Sequence, residues 1–145
     1  MIGSVLMVCE GNICRSPLAA AMLAREMPEL EVTSAGTHAL VGAPADPTIA
    51  EIARAHGLTL DAHRATQVDT PLAYAADLIL TMTHSQREWV ETAFPSTRGK
   101  VARLCDEHGV DITDPYRRHR TLFDLAFAQI RDGISQWTRT LAQQR

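Results

Sequence analysis

SVLMVCEGNICRSPLAAAMLAREM, residues 4 to 27, decides the fold, because it passes from one periodicity to another across a short polar loop. SVLMVC is continuously apolar and carries β-branched residues, the pattern of a central parallel strand covered on both faces. In SPLAAAMLAREM, Ala, Leu and Met dominate, Ser16 is placed to cap a helix, and Pro17 suits its first position. Between them, CEGNICRS leaves the carboxyl end of the strand and enters the helix. Open α/β sheets bind their ligands at such a junction, and helix N-termini favour anions.

Outward from this unit the same alternation continues. EVTS, residues 31 to 34, is a second strand closed by Gly36, and the loop GTHALVGAPADP leads to a helix over 47 to 56 that Gly57 should end. DLILTM at 77 to 82 is the third strand, a helix follows over 84 to 93, and KVARLC at 100 to 105 is the fourth strand. After the turn TDPY, Phe123, Phe127, Ile130, Ile134, Trp137 and Leu141 recur at helical spacing, a stripe that should cover one face of the sheet. Strands alternating with helices predict an α/β fold: a four-stranded parallel sheet with helices on both faces, doubly wound and Rossmann-like. No repeat or linker interrupts it, so residues 1 to 145 are expected to form a single domain.

The 145 residues are 46% apolar and 21% charged, enough to bury a core without disulfide or metal staples. A net charge of -3 and a pI near 6.0 supply no field for nucleic acid. Arg117, Arg118, His119 and Arg120 form a basic run expected to be solvated surface unless it borders a site. The apolar opening lacks the charged start of a signal peptide, and no run is long enough for membrane insertion, so a cytoplasmic protein is expected. There Cys9, Cys14 and Cys105 should be reduced thiols. Their spacing has neither the C-x2-C nor the H-x3-H pairs of a zinc site, and neither metal nor cofactor is expected.

CEGNICRS is not a nucleotide-binding P-loop, which needs G-x4-G-K-[ST], and Lys100 is the sole lysine. Cys9 and Arg15 stand in a C-x5-R relation, which three cysteines and thirteen arginines would match by chance roughly one time in four. The setting adds weight: a strand before, Gly11 and Asn12 tolerant of positive φ inside, a helix after. Such a loop can curl the amides of Glu10, Gly11, Asn12, Ile13, Cys14, Arg15 and Ser16 around a tetrahedral oxyanion. Amide dipoles and a guanidinium favour a thiolate at Cys9. Arg15 can hold two phosphate oxygens with its planar fork, and Ser16 can donate to the sulfur when it becomes a leaving group. A phenolic leaving group, with a pKa of about 10, needs a proton donor at neutral pH. Asp114, on the Pro-fixed turn TDPY, is the candidate.

VCEGNICRSP, SAGT at 34 to 37, DAHRA at 61 to 65, DLILTM and TDPY occur in the order and spacing of the low-molecular-weight protein tyrosine phosphatases. This resemblance covers nearly the whole chain and is closest to the bacterial branch associated with capsule and exopolysaccharide production, through HALVGAPADP, RGKV and DPYR. It implies phosphotyrosine hydrolysis through a phosphocysteine on Cys9, with Arg15 as clamp and Asp114 as acid and then base. It also implies that Asn12, Ser16, Ser34 and His63 hold the loop by hydrogen bonds, and that Ile13, Leu40 and Tyr116 line the phosphotyrosine cleft. The other five histidines are read as surface residues.

The implied partner is a phosphotyrosine protein, a tyrosine autokinase in that branch, and the implied state is a monomer or weak homo-oligomer. Relatives with a second cysteine at the position of Cys14 can form a reversible disulfide with the nucleophile, which gives Cys14 either a protective role or that of a small buried loop residue. Three positions depart from the pattern: Glu10 beside the nucleophile, Ala39 and Leu40 where animal relatives carry tryptophan, and Thr66 where many relatives have arginine. Two other readings are an arsenate reductase of the same fold, which would need a further cysteine pair absent from THSQREWVETAFPS, and a non-catalytic phosphotyrosine-binding module, against which the retention of Cys9, Arg15 and Asp114 speaks.

Overall fold

The computed structural model describes residues 1 to 144. Its elements are β1 (Ser4–Cys9), α1 (Arg15–Glu26), β2 (Glu31–Gly36), α2 (Pro47–Ala55), α3 (Thr70–Ala75), β3 (Leu78–Thr81), α4 (His84–Ala93), β4 (Val101–Arg103) and α5 (Arg120–Ala142). The strands form one sheet in the order β2-β1-β3-β4, with every pair parallel. The expected doubly wound α/β architecture is thus present.

The period of two along β1 divides the core. Val5, Met7 and Cys9 pack with Leu18, Leu23 and Ile130, while Leu6 and Val8 face the other way, toward Ile79, Val90 and Val101. Helices α1, α2 and α5 therefore cover one face of the sheet, and α3 and α4 the other. The aromatic and aliphatic stripe of α5 lies in the first of these layers, with Phe123, Ile130, Ile134 and Leu141 buried. Its Trp137 is partly buried and donates Nε1–H to the Leu104 carbonyl at 2.9 Å. Gly133 lets α5 approach this closely: a Cβ there would lie 2.7 Å from Leu104 Cγ.

Several boundaries differ from the sequence-based expectation. Strand β2 runs on to Gly36, held by its ladder with β1 through Cys9 and Gly36. Strand β4 is only three residues long, and α3 lies in a stretch for which no element is expected from the sequence. Asp69 caps α3, accepting from the Leu72 N–H at 3.0 Å. Ser16 does not cap α1: the cap position is Cys14, without a side-chain hydrogen bond. Pro17 accordingly falls within the first turn rather than at its first position. Elsewhere local rules operate as expected, with Thr83 and Gln86 forming a capping box at α4 and Gly57, at φ 77°, following α2.

Because β2 lies on one side of β1 and β3 on the other, the chain leaves β1 at the point where the strand order reverses. A crevice opens there, outside the carboxyl ends of β1 and β3.

Candidate active site

The loop from Cys9 to Arg15 is shaped by where its carbonyls go. Cys9 C=O accepts from Thr37 N–H at 2.9 Å, Glu10 from His38 at 3.0 Å, Gly11 from Leu40 at 3.1 Å and Ile13 from Asp46 at 2.9 Å. The Asn12 carbonyl faces His63 Nε2 at 2.6 Å, with the imidazole as donor. Successive carbonyls are thus turned outward into protein partners, which turns the amides inward. Among the described residues the N–H groups of Gly11, Ile13 and Cys14 have no protein acceptor, and Asn12 N–H points at Cys9 Sγ, 3.3 Å away. Such an array of converging amides is an anion nest.

Asn12 is the pivot. Fully buried, it takes the left-handed conformation at φ 59°, which asparagine tolerates better than most residues. Its Nδ2 donates to Ser16 Oγ at 2.8 Å and Ser34 Oγ at 3.0 Å, and its Oδ1 accepts from Thr66 N–H at 2.8 Å. The four residues expected to support the loop, Asn12, Ser16, Ser34 and His63, are therefore brought together. Gly11, also expected to permit positive φ, is not left-handed here. A glycine is needed at Gly36 instead, where a Cβ would come within 2.3 Å of the Glu10 carbonyl oxygen.

Cys9 Sγ sits 2.8 Å from Ser16 Oγ, so Ser16 serves the sulfur rather than the helix end. Arg15 is buried. Its Nη1 donates to the Ile112 carbonyl at 3.0 Å, and its Nη2 lies 3.6 Å from Asp114 Oδ2. Asp114 is on the loop after β4 and is itself half-exposed, with Oδ1 accepting from Tyr116 N–H at 3.1 Å. A cavity of about 250 Å³ opens over the nest, walled by Ile13, His38, Leu40, Asp114 and Tyr116. Nucleophile candidate, guanidinium and carboxyl thus meet at one mouth. Arg117, at φ 58°, stacks over the Tyr116 ring at 5.1 Å, so the basic run does border the site at this residue.

Cys14 is buried, and burial foremost, then the negative charges of Asp46, Cys9 and Asp114, push its thiol up despite Arg15. It is a neutral thiol at physiological pH. Cys105, likewise raised by burial, bonds the Gln129 carbonyl at 3.2 Å on α5. It cannot supply a cysteine pair to the nest.

The five histidines expected at the surface are exposed, and two of them also make ring contacts. His56 stacks on Phe127 with ring centroids 4.2 Å apart, and His38 lines the cavity and meets the Trp89 ring edge-on at 5.7 Å. The Ile112 carbonyl that fixes Arg15 belongs to the site, and Trp89 stands against His38; neither is evident from the sequence. Backbone acceptors leave no trace in a residue pattern, and Trp89 is far from the loop in sequence.

Residues 4–145 match the family described as low molecular weight phosphotyrosine protein phosphatase. The probable low molecular weight protein-tyrosine-phosphatase EpsP of Ralstonia nicotianae is 43% identical over 137 residues, 94% of each chain. The low molecular weight protein-tyrosine-phosphatase Wzb of Escherichia coli K12 is 42% identical over 142 residues, 97% of each chain. Among solved structures, the tyrosine phosphatase Wzb from Escherichia coli K30 in complex with sulphate superposes with a TM-score of 0.93 at 35% identity, over 97% of this chain and 99% of that one. With the match running through the nest and across both layers of helices, the chain belongs to the low molecular weight phosphotyrosine protein phosphatase family and is a protein-tyrosine-phosphatase.

Proposed function

We propose that residues 1 to 145 act as a single catalytic unit in which Cys9, Arg15 and Asp114 hydrolyse phosphotyrosine by two phosphoryl transfers. The observation that carries this reading is the outward turn of the loop carbonyls, which leaves amides and Arg15 converging on the space above Cys9 Sγ. Phosphoryl transfer is catalysed mainly by positioning and by charge stabilisation, and this loop supplies both.

In the first step Cys9 Sγ attacks phosphorus and the bond from phosphorus to the tyrosine oxygen breaks. The carboxylic acid of Asp114 gives its proton to that oxygen. Arg15 and the nest amides hold the equatorial oxygens. In the second step Asp114, now a carboxylate, takes a proton from water, the resulting oxygen attacks phosphorus, and the S–P bond breaks. Ser16 Oγ and Asn12 N–H, within 2.8 and 3.3 Å of the sulfur, stabilise the departing thiolate. Ile13, Leu40 and Tyr116 give the cavity the apolar wall that a phenyl ring needs.

The proposed physiological substrate is a tyrosine autokinase of polysaccharide production, encountered in the cytoplasm. The resemblance of HALVGAPADP, RGKV and DPYR to that branch supports it. No helix among the described residues is long and apolar enough to cross a membrane.

The test is steady-state hydrolysis of p-nitrophenyl phosphate and a phosphotyrosine peptide by the wild type, Cys9→Ser and Asp114→Ala. Near-complete loss is expected for the first variant. For the second, kcat should fall, more for the peptide than for the better leaving group p-nitrophenol. Full activity in Cys9→Ser would overturn the mechanism. A phosphoprotein retained on Cys9→Ser from the host cell would identify the partner, and capture of proteins other than a tyrosine kinase would overturn the proposed substrate.

A further inference from the structure

Beside the phosphotyrosine cavity lies a second groove of about 330 Å³, which shares Glu10, Arg15, His38 and Asp114 with it and extends to Ser85, Trp89 and Ile112. Building on the phosphotyrosine reading, we propose that this groove is a subsite for a lysine or arginine flanking the phosphotyrosine in the substrate, with Glu10 as its counter-charge.

Three observations converge on a cation. First, the Glu10 side chain is exposed, and among the described residues its carboxylate takes part in no hydrogen bond or ion pair. Its backbone is fixed nonetheless, since its carbonyl accepts from His38 N–H at 3.0 Å and Gly36 packs beneath it. Glu10 thus lines both cavities with its carboxylate unpartnered among the described residues. Second, the cation that lines both cavities, Arg15, is committed. Its guanidinium is buried against the Ile112 carbonyl and Asp114, and it turns to phosphate when substrate binds. The remaining charges at the groove, Glu10 and Asp114, are negative.

Third, the wall suits an alkyl stem that ends in a charge. Trp89 is half-buried, with its ring set at steep angles against His38 at 5.7 Å and Phe94 at 6.2 Å, so its orientation is fixed. An indole face attracts ammonium and guanidinium groups, and the partly exposed Trp89 can cover the methylenes. An aspartate or glutamate entering the groove would meet two carboxylates. Glu10 thereby selects substrate sequence without taking part in phosphoryl transfer.

The experiment compares phosphotyrosine peptides that are identical except for Lys, Ala or Glu at one flanking position, moved along both sides of the phosphotyrosine. At one position kcat/KM for Lys should exceed that for Ala by about 3- to 10-fold, the combined size of a partly exposed ion pair and a cation–π contact. Glu should fall below Ala there, and added salt should narrow both differences. In Glu10→Gln the Lys-to-Ala ratio should fall close to one, and in Trp89→Leu it should shrink in part. Each ratio is formed within one enzyme variant, so a disturbance of the loop that affects all peptides cancels. Equal kcat/KM at every position in the wild type, or an unchanged ratio in Glu10→Gln, would overturn the subsite. Failure to hydrolyse any phosphopeptide would instead overturn the phosphotyrosine reading on which it rests.

Discussion

Replacing Asn12 with alanine should unmake the nest while leaving Cys9, Arg15 and Asp114 in the chain. Three side-chain hydrogen bonds are lost: those to Ser16 Oγ, to Ser34 Oγ and from Thr66 N–H. Each contributes about 1 kcal/mol net when its partners are buried. Alanine also takes up the left-handed backbone at φ 59° less readily than asparagine, which adds about 1 kcal/mol. The expected destabilisation is about 3–4 kcal/mol, a large share of the roughly 5–15 kcal/mol that holds a domain together. Urea unfolding followed by tryptophan fluorescence should show it as a lower midpoint with an unchanged slope. Turnover should suffer as well, because a shift of about 1 Å at a catalytic group costs on the order of 100-fold. Asn12→Gly separates the two contributions, since glycine tolerates the backbone but restores none of the bonds. It should fall between wild type and Asn12→Ala in stability, yet match Asn12→Ala in lost kcat/KM. An Asn12→Ala protein destabilised by less than about 1 kcal/mol and as active as wild type would refute the claim that this amide shapes the loop.

Neighbouring residues can be perturbed in the same way. Gly36→Ala drives a Cβ to 2.3 Å from the Glu10 carbonyl oxygen, backbone against side chain, so kcat/KM on p-nitrophenyl phosphate should drop at least as far as in Asn12→Gly. Gly133→Ala forces α5 from Leu104, where the approach is 2.7 Å. Its thermal midpoint should fall while kcat/KM measured well below that midpoint stays near wild type. Peroxide should inactivate the enzyme by oxidising Cys9 to a sulfenic acid, which the Cys14 thiol then attacks to form a disulfide with loss of water. Thiol reductant should restore activity in the wild type and in Cys105→Ser; restoration in Cys14→Ser would contradict the protective role. Burial works against ionisation of Asp111, but the His84 N–H and Arg103 outweigh it and hold its carboxyl below the usual range. Its contribution to stability is therefore present above about pH 4 and lost as pH falls through the lowered value. The urea midpoint of Asp111→Asn should trail wild type at neutral pH by less than about 1 kcal/mol in stability, since the pair is half-exposed, and should converge with it in acid.

The parts of the fold that could be read from the chain are those in which local pattern and tertiary role coincide. SVLMVC is buried on both faces, so its unbroken apolar run carries its position in the sheet, and the stripe of α5 shows its buried face directly. Helix α3 is six residues long, too short for a helical period to show, although Asp69 and Pro71 mark its start. Ser16 misled because a serine before a proline fits a helix cap, whereas tertiary demand places its hydroxyl between Cys9 Sγ and Asn12 Nδ2. Cys9, Arg15 and Asp114 stand out as chemistry-bearing side chains. The Ile112 carbonyl that steers Arg15 does not, because every residue has one. His38 and Trp89 meet only because β2 ends and α4 begins at the same edge of the sheet. Glu10 departs visibly from the pattern in the sequence, and its meaning comes from the groove it faces.

Whether phosphorus passes through Cys9 decides the mechanism. Asp114→Ala should still accept phosphate from p-nitrophenyl phosphate, whose leaving group needs little protonation, but lacks the base that activates water for the second step. Incubated with that substrate, acid-quenched and digested, the variant should carry a single phosphoryl group on the peptide that contains Cys9. The label should vanish when Cys9→Ser is combined with Asp114→Ala. A phosphoryl group on any other residue, or sustained turnover by the Cys9→Ser protein, would contradict it.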